Sequence, residues 1–241
     1  MRRRPPDRLD QIIAAALRVF AEKGYRRTQM ADVAREMSVS PGTLYNYVTG
    51  KEALFHLVVD RAFLPEAASA APTLPIPVPS PGATLQRLRE RLATDAALPV
   101  LEAALRREQV TDPRAELEAI VRELYALVER TWPAIVVLER SAIERPELAQ
   151  VFYGEMRRRL IAQLERYLSD RMARGHLRRV PHPPATARLV LENAAIFAMH
   201  RRRDPDPAAI DDGAAREAVV DLLVNALTRT GNRAPRRTQR S

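Results

Sequence analysis

The chain of 241 residues contains no cysteine. That excludes disulfides, thiolate metal sites and a cysteine nucleophile. No apolar run approaches the roughly 18 residues of a membrane span, so no membrane partner is expected. The opening MRRRPPDRLD is basic, but no apolar run follows it, so it does not read as a secretory signal and a cytoplasmic location is expected. There is no Gly-x-Ser-x-Gly elbow and no glycine-rich phosphate loop. The four histidines, His56, His176, His182 and His200, are scattered. His176 and His182 flank one loop, but no third ligand stands near them in sequence, so no metal, cofactor or catalytic residue is assigned. Glycine is scarce (eight residues) and aromatics make up 5%. With Ala, Leu, Arg and Glu throughout, the composition favours an all-α protein.

Lysine is nearly absent too, present only as Lys23 and Lys51. The net charge of +9 is therefore an arginine charge, and its location is uneven. Residues 1–64 carry 11 basic and 7 acidic groups, residues 65–228 carry 23 of each, and residues 229–241 carry five arginines and no acid. A basic head beside a neutral body is the electrostatic footprint of a DNA-binding module joined to a domain with another task.

Residues 8–23 carry Ile13, Ala16, Leu17 and Phe20 at helical spacing, with Ile12 and Val19 widening the stripe and Gly24 placed to end the helix. Residues 28–47, TQMADVAREMSVSPGTLYNY, then read as two short helices joined by a turn. Thr28 is expected to cap the first, which buries Ala31, Val33, Ala34 and Met37. Val39 sits in the turn. Ser40-Pro41 is a cap followed by a proline at the first helical position. Leu44 and Val48 point inward, while Thr43, Tyr45, Asn46 and Tyr47 carry polar groups outward. A short helix with donors on one side suits the major groove of DNA. Thr49 with Glu52 forms a capping box that opens a fourth helix.

Residues 65–82 hold six prolines and are expected to form an extended, polyproline-like linker rather than helix or central strand. Helical pattern resumes at 83–109. Asp112-Pro113 opens a helix that Pro133 interrupts or kinks, and Pro146 opens a long helix ended near Gly175. Further helices begin at Pro183 and near residue 214. The reading is thus a head at 1–64 (motif 28–48), a linker at 65–82, a helical body at 83–228 and a basic, disordered tail at 229–241.

The head resembles the TetR family of bacterial transcriptional regulators. The resemblance rests on the Ala-Ala-Leu-x-x-Phe-Ala-x-x-Gly-Tyr run ending at Tyr25, on Thr28, and on Val33-Ala34. It continues through Val39-Ser40-x-Gly42-Thr43-Leu44-Tyr45-x-Tyr47 and Lys51-Glu52-x-Leu54. Ser38 stands where the family often has glycine and Val48 where phenylalanine is frequent. The resemblance implies an N-terminal helix-turn-helix domain, a helical effector-binding and dimerisation domain, and a homodimer on a palindromic operator of double-stranded DNA. By position, Thr28, Ser40 and Lys51 would bind phosphates at helix N-termini. Gly42 would let the backbone approach, Thr43 and Asn46 would read base edges, and Tyr45 and Tyr47 would donate to phosphates. Arg2, Arg3 and Arg4 could reach a minor groove.

The body would supply the dimer interface and a pocket for a small-molecule effector. The expected interface is Leu191, Ala194, Ala195 and Ala198 on one helix with Ala218, Leu222, Leu223 and Ala226 on the next. The expected pocket is lined by Tyr125, Trp132, Phe152, Tyr153, Phe197, Met199 and His200. The function expected is a ligand-released repressor, associated with the nucleoid of a bacterium. The alternative is a dimeric DNA-binding regulator whose body only dimerises or contacts protein; a helical enzyme stands third.

Overall fold

The structure is a computed structural model, described here for residues 8–61, 73–205 and 210–228. Arg2, Arg3, Arg4 and the arginine tail lie outside the described residues. The described residues are helical, with two isolated bridges and no strand of greater length. The helices are α1 (Arg8–Arg27), α2 (Met30–Glu36), α3 (Pro41–Tyr45), α4 (Lys51–Arg61), α5 (Ala83–Asp95) and α6 (Pro99–Arg106). They continue with α7 (Pro113–Ala142), α8 (Pro146–Ala149), a π-helical stretch (Gln150–Arg157), α9 (Arg158–Ala173), α10 (Pro183–Ala198) and α11 (Asp212–Leu227). Five of them start on proline because the first helical residue needs no N–H: α3, α6, α7, α8 and α10.

The chain forms two compact units. The first takes residues 1–97 and 127–159, the second 98–126 and 160–241. In the first, α1 lays Ile12, Ile13, Ala16, Val19 and Phe20 inward, and α4 adds Leu54, Phe55, Leu57 and Val58. The Phe20 and Phe55 rings meet edge-on at 5.2 Å, and Tyr25 meets Phe55 at 4.8 Å. Gly24 has φ +76°, and a Cβ there would stand 3.3 Å from the Arg140 carbonyl oxygen of α7. The positive φ favours glycine at that site, and the Arg140 carbonyl leaves little room for a side chain. The helical path resumes after it, so α1 runs on to Arg27 beyond the expected stop. Ser38 takes φ 54°, the left-handed conformation that glycine adopts without strain.

Two caps differ from expectation. The residue before α2 is Gln29, whose backbone N–H donates to Asp32 Oδ2 at 2.9 Å, while Thr28 lies one position earlier. The Thr49 hydroxyl does not close a box with Glu52; it donates to the Ile76 carbonyl oxygen at 3.2 Å. Part of the proline-rich stretch is thereby fixed: residues 73–82 are described, and Ile76 pairs in parallel with Val48. Pro133 lies inside α7 without ending it, and α7 extends over 30 residues.

In the second unit, Arg171 is the largest buried polar side chain. Its Nε donates to Glu116 Oε1 at 2.7 Å and its Nη2 to the Ala104 carbonyl at 2.7 Å. It joins the end of α6 to α7 and α9. Burial opposes its charge, but the Glu116 bond prevails and its pKa is raised. Burial and the Glu116 charge both push the Tyr167 phenol well up. Residue Arg178 closes the unit by donating its N–H to the Leu227 carbonyl at 2.8 Å, beside the Leu177–Thr228 bridge.

Candidate nucleic-acid interface

The turn between α2 and α3 is closed by backbone bonds from Ser38 N–H to Arg35 O and from Val39 N–H to Ala34 O. Inward packing then fixes the pose of α3: Leu44 and Val48 are fully buried. What remains outside is Ser40, Pro41, Gly42, Tyr45 and Asn46, with Thr43 half-buried. Tyr45 is 49% exposed, a large ring that the chain itself leaves uncovered. The Ser40 and Thr43 hydroxyls pair at 3.1 Å. A Cβ on Gly42 would meet only Ser40 Oγ, at 3.8 Å. Among the described residues nothing crowds a side chain at that position.

Three residues expected on this surface are held differently. Thr28 is 1% exposed and its hydroxyl donates to the Gly24 carbonyl at 2.7 Å, so it closes the end of α1 and neither caps α2 nor faces solvent. Tyr47 is 5% exposed and lies mostly within the head. Lys51 turns its ammonium onto the Tyr25 and Arg26 carbonyls, each at 3.1 Å, and over the Tyr25 ring at 4.6 Å. It thus occupies the C-terminal end of α1, where carbonyls lack helical partners and a cation is favoured. The local sequence motif could not show these contacts because each is decided by where α1 ends.

Acidic neighbours temper the positive charge behind this surface. Lys23 pairs with Asp32 at 2.8 Å and Arg18 with Glu36 at 2.7 Å. The Lys23 hydrogen bond holds the Asp32 carboxyl below its usual range, aided by the Gln29 N–H. A second set of contacts ties α1 to the far end of α7. Glu144 accepts from the Arg26 N–H at 2.9 Å, and the Arg145 guanidinium stacks 4.7 Å over Tyr25. Glu144 is 118 residues from Arg26, so no sequence signal could pair them.

The expected pocket residues do not converge within either unit. Trp132, Phe152 and Tyr153 fall in the first unit; Tyr125, Phe197, Met199 and His200 fall in the second. Tyr125, Phe152 and Met199 are buried in packed core. Phe197 and His200 share an open cavity of about 480 Å³ with Ile196, Arg201, Arg203, Asp204 and Ile210. Another, of about 670 Å³, runs along α6 and the start of α7 past Val100, Ala103, Arg107, Val110 and Ala115, none of which the sequence singled out. Among the described residues, no His/Asp/Glu cluster could hold a metal ion.

The expected interface residues divide between two faces. Ala194, Ala198, Leu191 and Leu223 are buried inside the single chain, where α10 packs on α11, so they are core rather than surface. Ala195 is half-buried. Ala218, Leu222 and Ala226 are exposed, with Leu222 at 62%. Leu189 and Ile196, seven residues apart on α10, are exposed as well and were missed. No helix among the described residues is long and apolar enough to cross a membrane.

Residues 12–58 match the family model described as bacterial regulatory proteins of the tetR family, and residues 115–227 match the C-terminal domain of AefR-like transcriptional repressors. A curated relative, the HTH-type transcriptional regulator HbdR of Aromatoleum sp. (strain CIB), is 40% identical over 53 residues, 22% of this chain and 23% of that protein. Across the first curated relatives the matched stretch spans only 15–25% of their lengths. Two solved structures share the fold over nearly the whole chain. The ketosteroid transcriptional regulator KstR2 of Mycobacterium tuberculosis superposes with a TM-score of 0.59 at 13% identity, covering 94% of this chain and 98% of that one. AibR, solved with isovaleryl coenzyme A and operator DNA, gives 0.52 at 19% identity, covering 90% and 98%.

Proposed function

Since the chain belongs to the TetR family of bacterial regulatory proteins, we propose that it is a homodimeric transcriptional regulator that represses from a palindromic operator until a small molecule releases it. The observation that carries the DNA-reading part is the exposed face of α3. Ser40, Gly42, Thr43, Tyr45 and Asn46 leave hydroxyls, an uncovered backbone and a free side-chain amide on one short helix whose other face is core. In a major groove, Asn46 would read adenine and Thr43 would offer its hydroxyl or methyl to a base, while Ser40 and Tyr45 would donate to phosphates. Thr28, Tyr47 and Lys51 hold the helices that present this face.

Two-fold pairing is supported by the exposed Leu189, Ile196, Ala218, Leu222 and Ala226 on α10 and α11, apolar side chains left uncovered by their own chain. Effector release would work through differential affinity for two spacings of the paired heads. AibR, crystallised with both an acyl coenzyme A and operator DNA, supports a body that takes a ligand. The second reading, a body that only dimerises, is favoured by the burial of Tyr125, Phe152 and Met199 in filled core.

The test is retention of short genomic DNA fragments by the purified protein at physiological salt, followed by sequencing. Enrichment of one palindromic motif supports the reading; retention without sequence preference contradicts it.

A further inference from the structure

The proline-rich stretch does more than separate two helices. Within Pro75-Ile76-Pro77-Val78-Pro79, only Ile76 and Val78 possess a backbone N–H. The Ile76 N–H donates to the Tyr47 carbonyl at 2.8 Å. Its own carbonyl accepts from the Thr49 N–H at 2.9 Å and from the Thr49 hydroxyl at 3.2 Å. All three bonds fall just after α3, on the residues that lead the chain out of the five-residue helix. The carbonyls there have no helical partner of their own.

The other end of this segment is equally fixed. Gly82, at φ +82°, leads into α5, with Gln86 N–H bonded to its carbonyl at 3.0 Å and Ala83 N–H to that of Ser80 at 3.0 Å. Helix α5 is in turn fastened to α4. His56 Nδ1 meets the Thr84 hydroxyl at 3.1 Å, Arg87 donates to Asp60 at 2.5 Å, and Arg91 reaches the same carboxylate at 3.2 Å. Between the two anchors lie Pro77, Pro79 and Pro81, whose fixed φ keeps the chain extended and stiff.

We infer that residues 73–82 form a brace that sets the pose of the DNA-reading helix from the start of α5, with Ile76 and Thr49 as its positioning residues. The inference rests on the DNA-reading function proposed above. It adds to α4 a second physical link between the head and the helix that follows it. A helix of five residues has few contacts to hold it at the angle that base reading needs. The brace supplies three hydrogen bonds at its trailing end and carries no charged side chain. Its loss therefore acts on sequence discrimination more than on charge-driven binding.

The test uses the full-length protein and two DNA probes: fragments that the wild type enriches from genomic DNA, and length-matched fragments that it does not. Ile76→Pro removes the N–H and keeps the chain extended. It should weaken binding to the enriched fragments about tenfold and to the unenriched ones less than about twofold, the scale of one or two lost hydrogen bonds. Thr49→Val keeps the side-chain shape and removes one bond; it should act in the same direction, by about threefold. It decides the matter if Ile76→Pro fails to fold by thermal melting. Equal losses on both probes, or no loss on either, would overturn the brace while leaving DNA reading intact. A wild type that shows no sequence preference would overturn the DNA-reading premise, and the brace with it.

Discussion

Lys51 offers a sharp test of how the head is built, because its ammonium can serve α1 or a phosphate but is already engaged. Replacing it by methionine keeps the aliphatic stem over Tyr25 and removes two charge-assisted hydrogen bonds to the last turn of α1. Such bonds contribute about 1.5–3 kcal/mol each when buried. The site is only half-buried, so water replaces part of each lost bond. The ring contact adds about 0.5–1 kcal/mol, and Arg145, stacked on the same ring, retains some of it. The net cost should be about 2 kcal/mol, or roughly 4–8 °C in Tm for a chain of this size. The assay pairs thermal unfolding with operator affinity measured across salt concentrations. A phosphate contact contributes about 0.9 to the slope of log K against log salt. The predicted result is a lower Tm with the slope unchanged. An unchanged Tm with a slope reduced by about one contact per protomer would refute the placement of Lys51.

Other perturbations follow from the same geometry. Arg171→Met leaves the buried Glu116 carboxylate with only the bond from the more exposed Arg107, and leaves the Ala104 carbonyl with only the Arg107 N–H. It should cost about 3 kcal/mol in denaturant unfolding, whereas Arg171→Met with Glu116→Leu together should cost less than the single change. Asp95 has a fully buried carboxylate that accepts no hydrogen bond and lies 3.9 Å from Arg91. Burial raises its pKa against the pull of Arg91 and Arg130. A raised folded pKa means that stability is greatest with the acid protonated and falls as pH rises through that value. Asp95→Asn should therefore be more stable than wild type at pH 7, a gap that closes as pH falls toward the ordinary carboxylate range. Leu222→Arg places a charge on the exposed face of α11; sedimentation should show monomer, and operator binding should fail, while the helical melt persists.

Much of the fold could be read from local chemistry. Prolines 41, 113, 146 and 183 begin helices as their missing N–H implies, whereas the helix start at Pro99, inside a stretch read as continuous from 83 to 109, was not foreseen. Gly24 and Gly175 take the positive φ that their place after a helical stripe implies. What could not be read depends on distant partners. Thr28 was a credible cap on local grounds, yet the Gly24 carbonyl takes its hydroxyl, and that carbonyl is free only because α1 breaks there. Ile76 finds Tyr47 and Thr49 across nearly 30 residues with no motif to announce it. Helix α10 carries apolar residues on both sides, so periodicity could not say that Ala194 and Ala198 are buried while Leu189 and Ile196 face out. The exposed face of α3 was legible because its packing is local: Leu44 and Val48 fix which side is left for Tyr45 and Asn46.

The central claim is that this face reads bases, and the direct measurement is the selected binding motif of Asn46→Ala set beside that of the wild type. A lost base preference at one symmetric pair of positions, with the rest of the motif intact, is the predicted result. An unchanged motif at every position would contradict the claim.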